Sequence, residues 1–145
     1  MGVVAGGDNH DSVPGFRRYT DIWRKGRMSR QAGLSAVIVA ENTREALFEA
    51  LYDRRCYGTT GARVLLEFQV DGNEMGSEIS SSKPEIRATA VGEDEIASIE
   101  LVRNGIPIQH SRGSNGDAHL DYQEEVSAAG TTSYYVRVTQ RDGEK

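Results

Sequence analysis

The stretch Arg63-Val-Leu-Leu-Glu-Phe-Gln-Val70, followed by Asp71-Gly72, decides the predicted fold of this chain of 145 residues. Every second residue from 64 to 70 is apolar, and this period of two is typical of a β-strand that buries one face. Asp-Gly is a favoured turn between antiparallel strands. The pattern therefore predicts a hairpin, with a short second strand near residues 74–79.

Similar alternating runs continue downstream, and turn residues such as Asn104-Gly105 separate them. Six or seven short strands with no helix between them indicate an antiparallel β-sandwich of immunoglobulin-like type. We assign this domain to residues 62–145. The apolar members of the runs form its predicted core, which comprises Phe68, Ile86, Ile99, Leu101, Leu120, Tyr122, Tyr134 and Val136.

Upstream of the sandwich, the chain predicts one α-helix at about residues 43–55. Asn42 is a suitable N-cap, and Glu45 stands at the spacing of a capping box. Apolar residues then recur at helical spacing. The sequence Gly58-Thr-Thr-Gly61 is interpreted as the helix stop and a hinge. Just before the helix, the apolar run at residues 34–40 favours a buried strand.

The first residues carry half of a metal site. Val3-Val4-Ala5 is interpreted as a short buried strand that leads into Gly6-Gly7-Asp8-Asn9-His10. Along a strand, Asp8 and His10 share one face and could reach one metal ion. A catalytic zinc or manganese ion needs at least three protein ligands. No plausible ligand precedes Asp8, so the other ligands must come from elsewhere.

Several motifs together resemble the C-terminal part of a large family assigned to the PHP (polymerase and histidinol phosphatase) superfamily of metal-dependent hydrolases. The resemblance covers nearly the whole chain. It rests on the motifs Gly-Asp-Asn-His-Asp-Ser at 7–12, Gly-Leu-Ser-Ala-Val at 33–37, Asn-Thr-Arg-Glu-Ala-Leu-Phe-Glu-Ala-Leu at 42–51, Arg-Arg-Cys-Tyr-Gly-Thr-Thr-Gly-Ala-Arg at 54–63 and Glu-Leu-Val-Arg-Asn-Gly at 100–105.

The resemblance implies that residues 1–61 are the last strand, loop and helix of a distorted β/α barrel. In such proteins the final strand supplies an Asp-x-His pair, usually as Gly-Ser-Asp-x-His, so Asp8 and His10 are expected to be metal ligands. Gly7 stands where serine is usual. The intact parent would be a phosphoesterase-type hydrolase that uses zinc or manganese. The expected fragment, cut at both ends, would lack catalytic residues of its own and depend on the missing barrel.

Each candidate also has a plain structural interpretation. Asp8 and Asn9 favour an Asx turn without any metal. Asp117-Ala-His119 is a second Asp-x-His, and its alternation places both polar residues on a solvated face. His110 receives the same interpretation. Cys56 has no nearby base in sequence and is predicted to pack in the interior.

A basic cluster with interspersed aromatic residues lies between residues 17 and 30. It contains Arg17, Arg18, Arg24, Lys25, Arg27 and Arg30, with Tyr19 and Trp23. Arg17 and Arg18 could neutralise a phosphoryl substrate near the metal pair. An ordinary solvated loop explains the basic cluster equally well. The net charge of −5 argues against a nucleic-acid partner.

The remaining composition limits the function classes further. No apolar stretch is long enough to cross a membrane, and the single cysteine excludes an internal disulfide. The compartment stays open. Asp142-Gly143 predicts a hairpin turn whose second strand is missing, so self-association is expected through the uncovered edge, through exchange of the apolar N-terminal segment, or through both. The rival function is a non-catalytic sandwich for binding or assembly, although Trp23, the one tryptophan, lies outside the sandwich.

Overall fold

The computed structural model describes residues 2–6, 18–19, 30–31, 33–125 and 130–145. In this part the chain is mainly β, has one α-helix, and pairs all its strands antiparallel. It divides into two compact units, Met1–Arg63 and Val64–Lys145. No described helix has the length and apolar character needed to cross a membrane.

The first unit contains two small antiparallel ribbons. Strand β1 (Arg18–Tyr19) pairs with β2 (Arg30–Gln31), and β3 (Leu34–Val37) pairs with β4 (Cys56–Thr59). Helix α1 (Arg44–Tyr52) connects β3 to β4. The predicted strand at 34–40 thus stops at Val37, and its side chains are half-buried or exposed.

The predicted ends of the helix were wrong by a few residues. Thr43, not Asn42, is the N-cap, since its Oγ1 accepts a hydrogen bond from the backbone N–H of Ala46 at 3.2 Å. Ala46 therefore occupies the position that a capping box gives to Glu or Gln. At the other end, Arg54 takes the left-handed conformation, with φ of 64°, directly after the C-cap residue Asp53.

Two further predictions in the first unit were wrong. Gly58 does not stop the helix but lies inside β4, paired with Ser35 of β3. Residues 2–6 form no strand, and the side chains of Val3 and Val4 are 54% and 66% exposed. The local sequence did not reveal β4, because its partner strand β3 precedes the helix in the sequence and β4 follows it.

The second unit, Val64–Lys145, consists of two antiparallel sheets. The first sheet has the strand order β10-β7-β5-β6 and the second the order β11-β8-β9. The strands are β5 (Leu65–Val70), β6 (Asn73–Glu74), β7 (Glu85–Val91), β8 (Ile96–Arg103), β9 (Ile106–Arg112), β10 (Asp117–Gln123) and β11 (Tyr134–Gln140).

Turn chemistry fixes the register of the hairpins in this unit. Asp71 and Gly72 have φ of 49° and 73°, and Asn104 and Gly105 have φ of 50° and 82°. Two consecutive positive φ angles define the type I′ turn that suits the twist of paired strands. The strand predicted near 74–79 was wrong beyond Glu74, where β6 ends.

Both sheets contribute to the buried interior of the second unit. Strand β10 of the first sheet contacts β8 and β9 of the second. The predicted core residues Phe68, Ile86, Ile99, Leu101 and Leu120 are buried, whereas Tyr122, Tyr134 and Val136 are half-buried. Ile96 and Val102 are also fully buried.

Candidate functional site

The predicted metal ligands Asp8 and His10, and the predicted substrate residue Arg17, lie outside the described residues. Arg18 lies in β1, where it pairs with Gln31, and only its backbone is described. All four assignments stay predictions. The structure does describe the segment at residues 2–6, which leads directly into the Asp8-x-His10 motif.

A single serine anchors this segment. The backbone N–H of Ala5 donates to Ser35 Oγ at 2.9 Å, and the Ser35 hydroxyl donates back to the Ala5 carbonyl oxygen at 2.8 Å. A hydroxyl can accept and donate at once, so one side chain of β3 pairs both backbone groups of Ala5. In the sequence, Asp8 therefore comes only three residues after Ala5, whose backbone is hydrogen-bonded to β3.

Two glycines allow the segment to approach the β3–β4 ribbon closely. A Cβ atom at Gly58 would lie 2.9 Å from Cβ of Ala5, and one at Gly33 would lie 3.2 Å from the same atom. Cβ atoms in real proteins essentially never come as close to another atom as the 2.9 Å found for Gly58. Glycine is thus required at position 58 by the closeness of residue 5 rather than by an unusual backbone conformation.

Replacing Gly58 with valine should displace the anchored segment. Because the new side chain would overlap Ala5, we expect a loss of about 1 to 3 kcal/mol in the free energy of unfolding. Urea unfolding followed by the fluorescence of Trp23, the single tryptophan, would measure it. Gly6→Val is the matched control, since no atom of the described residues lies within 4 Å of a Cβ atom placed at Gly6. An equal effect of the two variants would contradict the close-approach argument.

The second Asp-x-His sequence is a surface feature, as predicted. The side chain of His119 is 64% exposed, its Nε2 lies 3.5 Å from Asp117 Oδ2, and its Nδ1 lies 3.3 Å from Thr89 Oγ1. His110 is likewise exposed. Within the described ranges, no group of three or more His, Cys, Asp or Glu residues could hold a metal ion. Cys56 is buried and unbonded, which confirms its predicted packing role.

The most buried charged group in the described structure is Glu124, which is 3% exposed and follows β10. Its Oε2 accepts hydrogen bonds from Arg103 Nη1 at 2.8 Å and from the Tyr134 hydroxyl at 2.9 Å. The Tyr122 hydroxyl donates to Oε1 at 3.3 Å. These four residues, here called the Glu124 cluster, connect β10 of the first sheet to β8 and β11 of the second.

The electrostatics of the Glu124 cluster keep its carboxylate charged. Burial alone would raise the pKa of Glu124, but the hydrogen bonds from Arg103 and Tyr134 and the charge of Arg103 outweigh it, so the pKa is lowered. Burial and the neighbouring carboxylate raise the pKa of Tyr134 to about 12. A carboxylate held ionised is a poor proton donor, and its hydrogen bonds link the strands of the two sheets.

Sequence reasoning missed Glu124, although a signal was present. Ala118, Leu120 and Tyr122 mark the buried face of β10 with a period of two, and the next position in this series is Glu124. A charged residue on the core-facing series demands a partner. Tyr122 and Tyr134, both predicted as core residues, provide two of the hydrogen-bond partners of Glu124 through their hydroxyl groups.

The chain belongs to the family described as "Protein of unknown function (DUF3604)", whose sequence pattern matches residues 2–96. It is 34% identical to an uncharacterised protein of Chlamydia trachomatis serovar D over 99% of this chain, and 32% identical to one of Chlamydia muridarum over the same share. An uncharacterised protein of Chlamydia pneumoniae is 32% identical over 98% of the chain.

The chain spans about a quarter of the length of each of these relatives. No solved structure matches it.

Proposed function

We propose that this chain is the part of a PHP-type metal-dependent hydrolase that supplies the last Asp-x-His ligand pair and an accessory β-sandwich. The observation that carries the proposal is the anchored approach to the motif: Ser35 and the glycine at position 58 hold Ala5 in place just before Asp8. A metal-ligand pair needs such a fixed backbone, because ligands must be held close to their working geometry.

The donor chemistry of the pair suits the proposed metals. A carboxylate and an imidazole are ordinary ligands of zinc and manganese. Two ligands do not complete a catalytic site, and the relatives are about four times as long as this chain. The missing ligands are therefore assigned to the rest of the full-length protein, and the isolated chain is expected to be inactive.

Asp8 and His10 would hold the ion, and Arg17 and Arg18 would pair with the phosphoryl group of a substrate. When bound, the divalent ion supplies Lewis-acid activation of water and of the scissile bond. The residues of this chain contribute ligand positioning and charge neutralisation. The phosphoester class of substrate is inferred from the family resemblance together with this basic pair.

The finer fold assignment belongs to the same proposal. Residues 1–61 are proposed to be a remnant of a β/α barrel, and residues 62–145 an immunoglobulin-like sandwich. Support for the sandwich comes from two antiparallel sheets, of four and three strands, that both bury apolar side chains. The Glu124 cluster, which joins the two sheets, adds to this support.

Hydrolysis of p-nitrophenyl phosphate esters by the full-length protein, with manganese or zinc added, tests the proposed function. We expect Asp8→Asn to lower the rate by roughly 100-fold or more, because the variant loses an anionic metal ligand. Asp117→Asn, in the exposed Asp-x-His sequence, should retain the rate. Equal rates in the two variants, or no hydrolysis by the wild type, would favour the non-catalytic binding module instead.

A further inference from the structure

The turn after β11 has the geometry of a β-hairpin that is closed at its first pair. The backbone N–H of Gln140 donates to the Glu144 carbonyl oxygen at 2.8 Å, and the N–H of Gly143 donates to the Gln140 carbonyl oxygen at 3.1 Å. Gly143 has φ of 92°. A three-residue loop with a left-handed third residue is a standard hairpin connection.

This hairpin points to the open edge of the second sheet. Arg141 N–H donates to the Glu95 carbonyl oxygen, on the β8 side. The backbone groups of successive strand residues point in opposite directions within a sheet, so Gln140 and its bonded partner Glu144 lie on the side away from β8. At the other end of β11, the Ser133 carbonyl accepts from Asn104 N–H, also on the β8 side.

The same alternation identifies which groups of β11 face that edge. They are the backbone groups of Tyr134, Val136 and Val138. Among the described strands, β11 pairs only with β8. An edge of this kind offers unpaired donors and acceptors to a further strand.

We infer that the free edge of β11 is the acceptor for a strand that begins at Glu144 and continues past Lys145 in the longer polypeptide. Sequence reasoning assigned this edge to a second copy of the chain. The turn favours the same polypeptide, because it has already directed the backbone antiparallel to β11 and formed the first pair. The relatives are about four times as long as this chain.

The register of the inferred strand makes a sequence prediction. Glu144 lies opposite Gln140, so the first, third and fifth residues after Lys145 would lie opposite Val138, Val136 and Tyr134. Opposite residues in an antiparallel pair share one face of the sheet. Gln140 and Val138 are buried, while Arg137 is exposed. Those three residues of the full-length protein should therefore be mainly apolar, with polar residues between them.

Amide hydrogen exchange tests the inference directly. It would compare the 145-residue chain with a chain extended by the next ten or so residues of the full-length protein. In the shorter chain, the amides of Val136 and Val138 should exchange fast, and that of Arg137, which faces β8, should be protected. In the extended chain, the first two should slow by about tenfold or more. Fast exchange of these amides in both chains would overturn the inference.

Two further comparisons distinguish the possible occupants. In the extended chain, Gly143→Val should remove the protection of Val138 and leave that of Arg137, because valine resists the left-handed conformation. Gly130→Val is the matched control, since Gly130 also has positive φ, at 85°, and no atom of the described residues lies within 4 Å of a Cβ atom placed there. Protection that appears in the 145-residue chain and rises with protein concentration would assign the edge to a second copy and overturn the inference.

Discussion

Replacing Leu101 with aspartate is expected to unfold the unit Val64–Lys145. Leu101 lies in β8, the central strand of the second sheet, and is 0% exposed. Loss of a buried leucine costs about 2 to 5 kcal/mol, and a carboxylate left in the interior without a partner adds a cost of similar size. The sum approaches the total stability of a typical domain, about 5 to 15 kcal/mol.

Far-ultraviolet circular dichroism and thermal melting would measure this loss. Leu65→Asp is the matched control, since Leu65 lies in a strand of the same unit but is 72% exposed. Its effect should stay within about 1 kcal/mol. A Leu101→Asp chain that melts at the wild-type Tm would show that the buried face of β8 is assigned wrongly.

Replacing Glu124 with alanine is expected to cost about 2 to 4 kcal/mol. The variant removes the acceptor of three side-chain hydrogen bonds and leaves the hydroxyls of Tyr122 and Tyr134 without their partner. Solvent can reach Arg103, whose side chain is 36% exposed, so the cost should be below that of a fully buried ion pair.

Urea unfolding at neutral pH measures this change, and Glu100→Ala provides the comparison. Glu100 accepts a hydrogen bond from Arg137 at 2.9 Å, almost the same distance as in the Glu124–Arg103 pair, but its side chain is 30% exposed. An exposed pair contributes about 1 kcal/mol or less. Equal costs for the two alanine variants would mean that burial adds nothing to the Glu124 cluster.

The pH dependence of stability provides a second test of the cluster. Because folding lowers the pKa of Glu124, its contribution is present above its unfolded pKa of about 4.3 and is lost as pH falls through the lower folded value. Folding raises the pKa of Tyr134 to about 12, so its contribution is present below about pH 10 and is lost as pH rises toward 12. Tyr134→Phe should reduce the alkaline loss without abolishing it, because Tyr122, whose pKa is also raised by burial and by Glu124, still contributes; an unchanged loss in the variant would contradict the assignment to Tyr134.

The second unit could be predicted well from sequence because its signals are local. Alternation marked the strands, and pairs such as Asn104-Gly105 supply the positive φ angles that a type I′ turn requires. The helix start was harder to place, since Asn42 and Thr43 are both good caps and only the backbone conformation selects between them. Glu124 was missed because the strand pattern was followed only through its apolar members.

The first unit resisted prediction because its contacts join distant parts of the chain. Gly58 resembles a helix stop in its local sequence, yet it pairs with Ser35 and lies against Ala5. The anchoring of Ala5 by a side chain 30 residues away leaves no local signal. Asp8, His10 and Arg17 lie outside the described residues, so the metal site remains a prediction from motif and resemblance.

The most direct test of the proposed metal role is the metal content of the purified full-length protein. The comparison uses the wild type, the double variant Asp8→Ala/His10→Ala, and the double variant Asp117→Ala/His119→Ala, which removes the exposed Asp-x-His sequence instead. We expect the wild type and the second variant to retain zinc or manganese after dialysis, and the first variant to lose at least one ion per chain. Equal metal content in all three proteins would contradict the role of Asp8 and His10 as ligands.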